Sequence, residues 1–195
     1  MQDQVMTDTW GFEDSMENVS GYELKPGINE GVTLRSFEYE EGTYGPQLKV
    51  IIGKGETTTT KWWSLADDRG ADQLKATIAR AKAIAFHFVH SYVGADKVKQ
   101  ALQAASPRSA QHFIETMANL LPANVAEIPA SCILSFGKVK NGNQFLELPV
   151  SMKVTGAFWS VNGSHELECS DRLTLVRETV EAPANEESTD DEDWG

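Results

Sequence analysis

From Leu24 onward the polar and apolar positions fall into register. Val32, Leu34 and Ser36 alternate with Thr33, Arg35, Phe37 and Tyr39, the period of two that turns successive side chains to opposite faces of a strand. Gly42 and Gly45-Pro46 mark a turn, a second strand follows at Leu48–Gly53, and Gly53-Lys54-Gly55 marks another turn. The run Thr57–Trp63 is rich in β-branched and aromatic residues, which suit a pleated, half-buried surface, so it predicts a third strand.

The period then changes. Leu74, Ile78, Ala81, Ala85, Phe88 and Tyr92 recur at steps of four and three, one apolar stripe on a helix over about 70–93, with Gly94 as its stop. Val98, Ala101, Leu102 and Ala105 predict a shorter helix. Ser106-Pro107 reads as a cap followed by proline at the first helical position. The third helix then buries Ala110, Phe113, Ile114, Met117 and Leu121 and stops before Pro122.

Strand signals return after Pro129. Asn141-Gly142 and Asn162-Gly163 each stand between β-like runs, and Asn-Gly accepts the positive φ angles of a type I′ hairpin turn. The strands fall at Ser131–Lys140, at Gln144–Leu148 running on to Trp159, and at Leu167–Val176, with Pro149 at a bulge or edge. The order is three strands, a helical block over about 70–121, then three or four strands. That is α+β, mostly β with a helical insert. A five-stranded OB-fold-like barrel has this order, here with an enlarged helical insertion between strands 3 and 4. Residues 1–22 form an acidic arm with little periodicity, 23–177 the folded domain, and 178–195 an acidic tail of disordered composition.

Charge sharpens this division. The 195 residues carry a net charge of −12, with six acids and no Lys or Arg in residues 1–23 and eight acids and no base in 178–195. Of the 29 acids, 15 remain in 24–177 beside all 17 bases, so a weakly basic body lies between two acidic arms. Cys132 and Cys169 fit reduced core residues rather than a disulfide framework. No 18-residue apolar run offers a membrane span, and Met1–Trp10 lacks a signal peptide's basic and apolar regions. The expected location is cytoplasmic, the host cytoplasm if the protein is a phage's.

A search for catalytic constellations returns little. There is no Walker loop, no Gly-x-Ser-x-Gly elbow and no dinucleotide-binding glycine pattern. His87 and His90 lie three apart on the first helix, but no paired Cys, Asp or Glu stands at ligand spacing; one packed and one exposed histidine is the simpler account. Asp67, Asp68 and Asp72 offer carboxylates for a nuclease and more simply cap and charge the start of the first helix. We therefore expect no enzyme, no catalytic residue, no metal and no cofactor.

Binding residues are more numerous. Single strands are held by basic grooves whose aromatic side chains stack on bases, at roughly 1–3 kcal/mol per base. By strand parity Arg35, Phe37 and Tyr39 share one face, Lys61 shares another with Trp63 opposite Trp62, and Lys153 matches Trp159. Lys49, Lys138 and Lys140 add phosphate contacts. The tail is more specific: Asp190, Asp191, Glu192 and Asp193 cluster before Trp194, a costly residue to expose on a merely solubilising segment. Acids beside one aromatic suit a basic-rimmed apolar pocket on another protein, or the chain's own basic groove, where they mimic phosphates.

These features resemble the single-stranded-DNA-binding proteins of bacteriophages and bacteria, which join an OB fold to an acidic tail ending in or near an aromatic residue. The segment from Tyr22 to Val32, with Pro26-Gly27 leading into the first strand, is similar to the opening of phage OB-fold proteins of this class. Bacterial tails end on Phe, whereas this chain ends Trp194-Gly195. The resemblance implies sequence-nonspecific binding that protects single-stranded DNA during phage-type replication or recombination, with replication or recombination proteins recruited through the tail. The alternative is an acidic protein-interaction module, a DNA mimic or inhibitor, that binds no nucleic acid.

Overall fold

The computed structural model describes residues 24–43, 45–139, 143–152 and 157–177. It is mixed α+β: a six-stranded antiparallel open sheet with three helices. The strands are β1 (Gly27–Gly42), β2 (Gly45–Lys54), β3 (Thr57–Ser64), β4 (Ala130–Phe136), β5 (Leu146–Glu147) and β6 (Trp159–Val161). Between β3 and β4 lie α1 (Ala71–Val93), α2 (Ala95–Ala105) and α3 (Ala110–Ala118). The sheet order is β3-β2-β1-β4-β5, with β6 pairing the first half of β4. The helical insert thus falls where the sequence places it.

β1 organises the sheet because two bulges bend it. Its first part, to Val32, pairs with β4, and its second, from Thr33, pairs with β2. The first register shift lies between Glu30 and Val32, where Gly31 takes φ 70°; a side chain there would be strained, which is why glycine suits the bulge. The second lies between Leu34 and Ser36, leaving Arg35 as the extra residue. Strict alternation predicts Phe37 and Tyr39 on the face opposite Leu34. The bulge shifts the parity by one, so Phe37 joins Val32 and Leu34 in the core and Tyr39 packs against it, while Arg35 stays outside.

The core lies between one face of β1–β3 and α1. Leu34, Leu48, Val50, Ile52 and Trp63 project from the sheet toward Ile84, Ala85 and Phe88 of the helix, all buried. The Phe88 ring sits at the centre, its centroid 5.0 Å from Trp159, 5.8 Å from Phe158, and 6.3 Å from both Phe37 and Trp63. Aromatic rings at these separations pack edge-on or tilted, adding directional contact to buried area.

Four local expectations change. Ser106 closes α2 in the left-handed conformation (φ 43°) rather than opening the next helix; Ser109 caps α3, its hydroxyl accepting from the His112 amide at 3.1 Å. Asn162 and Gly163 do adopt positive φ, 50° and 67°, and the Ser164 amide closes the turn on the Val161 carbonyl, but no strand follows. The Ser160 hydroxyl instead donates to the His165 carbonyl. The run Leu167–Val176 is likewise no strand, although the Phe136 amide donates to the Thr174 carbonyl at 2.8 Å. Asn141-Gly142 lies outside the described residues. Both cysteines are free, but Cys169 is exposed and only Cys132 is a core residue.

Candidate nucleic-acid interface

β3 ends the hydrogen-bonded order of the sheet, yet its side chains reach across to the segment around β5. The Thr59 hydroxyl donates to the Leu146 carbonyl at 2.7 Å, the Trp63 indole N–H donates to the Val150 carbonyl at 3.0 Å, and the Lys61 ammonium pairs with the Glu147 carboxylate. Side chains rather than a backbone ladder hold this seam, which leaves the surface beside β3 indented.

Two clefts flank the seam. The first, about 730 Å³, lies between β3 and α1 and is lined by Trp62, Trp63, Asp67, Arg69, Thr77 and Arg80 among others. The second, about 410 Å³, lies between β3 and β4 and includes Phe136, Lys138, Glu147 and Arg172. Lys61 and Val150 line both, so the two clefts meet there. Arg80, Lys138 and Arg172 are exposed and make no ion pair among the described residues. Of the exposed large apolar side chains, Trp62 (48 %) and Val150 line the clefts, and Phe145 (66 %) stands just before β5.

The opposite face of the hairpins carries a row across three strands. Lys49 of β2 pairs directly with Glu38 of β1 on one side and Trp62 of β3 on the other. Its ammonium lies 3.2 Å from Glu38 and 3.0 Å from Glu40, and the Trp62 indole N–H donates to the second Glu40 oxygen at 2.8 Å. The hydrogen bonds from Lys49 and Trp62 hold the Glu40 carboxyl below its ordinary pKa, and Glu40 and Glu38 raise that of Lys49. The charges of Glu40 and Lys49 are therefore both present at neutral pH.

The residues singled out in the sequence separate by where the structure places them. Lys49, Lys61 and Lys138 lie on the surface just described. Phe37, Trp63 and Trp159 are 7 %, 4 % and 0 % exposed and serve the core, so stacking on a base is closed to them. Tyr39 also packs against the core, its hydroxyl bonded to Glu41. Arg35 folds over the β2–β3 turn, donating to the Gly55 carbonyl at 3.2 Å. Lys140, Lys153 and the tail residues Asp190, Asp191, Glu192, Asp193 and Trp194 lie outside the described residues. Parity missed Trp62, whose neighbour Trp63 took its place, and it gave no account of Arg69, Arg80, Phe145 or Arg172. The adjacent tryptophans were the available signal, since a strand turns one of them outward.

The carboxylates and histidines have structural partners. Asp67 does not cap α1, whose N-cap is Gly70; it binds Arg69 through two oxygens, at 2.9 and 2.6 Å, and accepts from the Thr77 hydroxyl. Those bonds, Arg69 foremost, hold it far below the usual carboxylate range. His87 is 2 % exposed and accepts the Trp159 amide on Nε2 at 3.2 Å. His90 and His165 lie 5.5 and 5.6 Å from it, centroid to centroid. Among the described residues no group of three His, Cys, Asp or Glu is placed to hold a metal ion, and no helix is long and apolar enough to cross a membrane. No protein-family model matches this chain, and no curated protein and no solved structure matches it either.

Proposed function

We propose that this protein binds single-stranded DNA without sequence preference, on an OB-type barrel that stays partly open at the seam between β3 and β5. The sheet order supports the barrel reading: β3-β2-β1-β4-β5, with side chains of Thr59, Lys61 and Trp63 reaching from β3 to the β5 segment, follows the order 1-2-3-5-4 that such a barrel would need. OB domains bind oligonucleotides on the face of strands 2 and 3 and on the neighbouring loops. The observation that carries the reading is the placing of exposed Trp62 on that face, in the first of two adjoining clefts whose rims hold Arg80, Lys138 and Arg172, exposed and without an ion pair among the described residues. Trp62 and Phe145 supply stacking surface, and the cations neutralise phosphates. The acidic tail competes with DNA for this surface when DNA is absent and recruits replication or recombination proteins when DNA displaces it.

The test is fluorescence anisotropy of a labelled oligo(dT), titrated with the full chain at two salt concentrations. Binding is expected to weaken steeply with salt, and Trp62→Ala to reduce it by roughly 1–3 kcal/mol while unfolding in urea stays near wild type. Trp63→Ala serves as the contrast, losing about 3–5 kcal/mol of stability as a large core aromatic does. No binding at low salt would remove the nucleic-acid reading and leave the acidic arms as the working surface of a protein-interaction module.

A further inference from the structure

The loop from β3 into α1 builds something that the sheet alone does not need. Asp67 is almost sealed, its side chain 5 % exposed, while the Arg69 above it is 71 % exposed. The carboxylate grips Nε and Nη2 of the guanidinium from below and is itself fixed by Thr77 of α1. A guanidinium held in this way keeps its remaining N–H donors, those of Nη1 included, pointed at solvent with its rotamer already chosen, a geometry that suits phosphate oxygens. Arg80, three residues beyond Thr77 on α1, lines the same cleft with no ion pair among the described residues. Trp62 and Val150 add half-exposed apolar surface, and the buried Trp63 and Ala81 lie beneath it.

We infer that the cleft between β3 and α1 is a subsite for one nucleotide of the bound strand, with the base against Trp62 and its phosphate between Arg69 and Arg80. This rests on the single-stranded-DNA reading and extends it: the helical insert becomes part of the binding path rather than a plug for the barrel. The volume, about 730 Å³, falls within the range of small-molecule sites, roughly 300–1,000 Å³. Of the lining cations, Lys61 is paired with Glu147 and Arg69 with the nearly sealed Asp67, which leaves Arg80 as the cation of the cleft with no ion pair among the described residues. A nucleotide is the ligand that asks for both a flat apolar wall and a fixed anion clamp. Because the cleft meets the second one at Lys61 and Val150, the strand continues from it toward Lys138 and Arg172.

The experiment compares Arg80→Gln with Lys75→Gln in the full chain, by anisotropy on oligo(dT) over a salt series. Lys75 is exposed on the same helix, beside Asp72 and outside the cleft, so its replacement removes an equal charge without removing the clamp. Arg80→Gln is expected to weaken binding roughly two- to fivefold, as loss of one exposed ionic contact does. It should also lower the salt slope by about 0.7, the value for one phosphate contact on a single strand. Lys75→Gln leaves both unchanged. A cross-link from an iodouracil-substituted oligonucleotide to Trp62 is the second expected result. If the two variants behave alike, or if neither moves the slope, the clamp is overturned while wild-type binding keeps the broader reading. If the wild-type chain binds no oligonucleotide at low salt, both fall.

Discussion

Lys49 faces two carboxylates, Glu38 and Glu40, on a surface that is otherwise well suited to anions. Exposed ion pairs of this kind contribute little to folding, so their effect is better sought in binding. Glu40 does two things at once: it neutralises Lys49 and holds the Trp62 indole by its N–H. A phosphate approaching Lys49 meets acids already in place, which act as a resident competitor. Replacing Glu38 and Glu40 together by Gln is therefore expected to tighten oligo(dT) binding several-fold at low salt, by roughly the 0.2–1 kcal/mol of each exposed contact. Adding Lys49→Gln to that double variant should cancel the gain. Unchanged affinity in the double variant would mean that the strand does not pass over Lys49. The same residues show why sequence placed the lysines better than the aromatics. A lysine on a half-buried strand reaches the surface on either parity, because its stem is apolar and its head seeks water. Trp62 and Trp63 are chemically alike, so only the register decides between them: β3 pairs with β2 without a shift, setting Trp63 opposite buried Leu48 and Trp62 opposite Lys49, while the bulge at Arg35 decides the faces of Phe37 and Tyr39.

At the scale of elements, α1 carries a buried contact with the segment leading into β6 that titrates. Burial pushes His87 down to about 4, with His90 and His165 adding to the effect, and its Nε2 accepts the Trp159 amide, so the neutral ring is the one that fits. The folded-state pKa lies below the unfolded value of about 6.5. The stabilisation is thus complete above pH 6.5 and is lost as pH falls toward 4, where the unfolded chain takes up a proton that the folded one refuses. The expected loss by pH 5 is about 2 kcal/mol from this residue, read as a drop in the urea midpoint. His87→Gln should flatten the profile between pH 7 and 5; a wild-type midpoint that does not move over that range would contradict the burial argument. This contact joins two elements that sequence read unequally. The periodicity of α1 was legible because one stripe of Ala81, Ala85 and Phe88 faces one sheet. The short strands β5 and β6 were not, because Phe158 and Trp159 are fixed by packing on Phe88 and His87 rather than by a long ladder. Ser106 illustrates the same limit at a helix end: Ser-Pro resembles a start, and here the chain turns left-handed and stops.

For the whole molecule, the segregation of charge matters more than its total. The folded body between residues 24 and 177 carries all 17 bases, whereas residues 178–195 hold eight acids and no base. The proposed competition asks that this segment behave as a flexible coil, for which about 16 residues would span on the order of 20 Å. On the proposed reading the acids then compete for the cations of the two clefts, and Trp194 for the apolar surface that Trp62 and Val150 leave exposed. Such competition is intramolecular, so it acts at a high effective concentration whatever the protein concentration, and it weakens with salt in parallel with DNA binding. Deleting residues 178–195 is therefore expected to tighten oligo(dT) binding most at low salt and to leave it nearly unchanged at high salt, where both electrostatic terms are screened. Trp194→Ala separates the two components: it should recover part of the gain and keep the salt dependence of the full chain. Equal affinity of the full and shortened chains at low salt would show that the tail does not occupy the clefts. Its acids and Trp194 would then be left for a partner protein alone, a result that pull-down of replication proteins by the intact chain, but not by the shortened one, would complete.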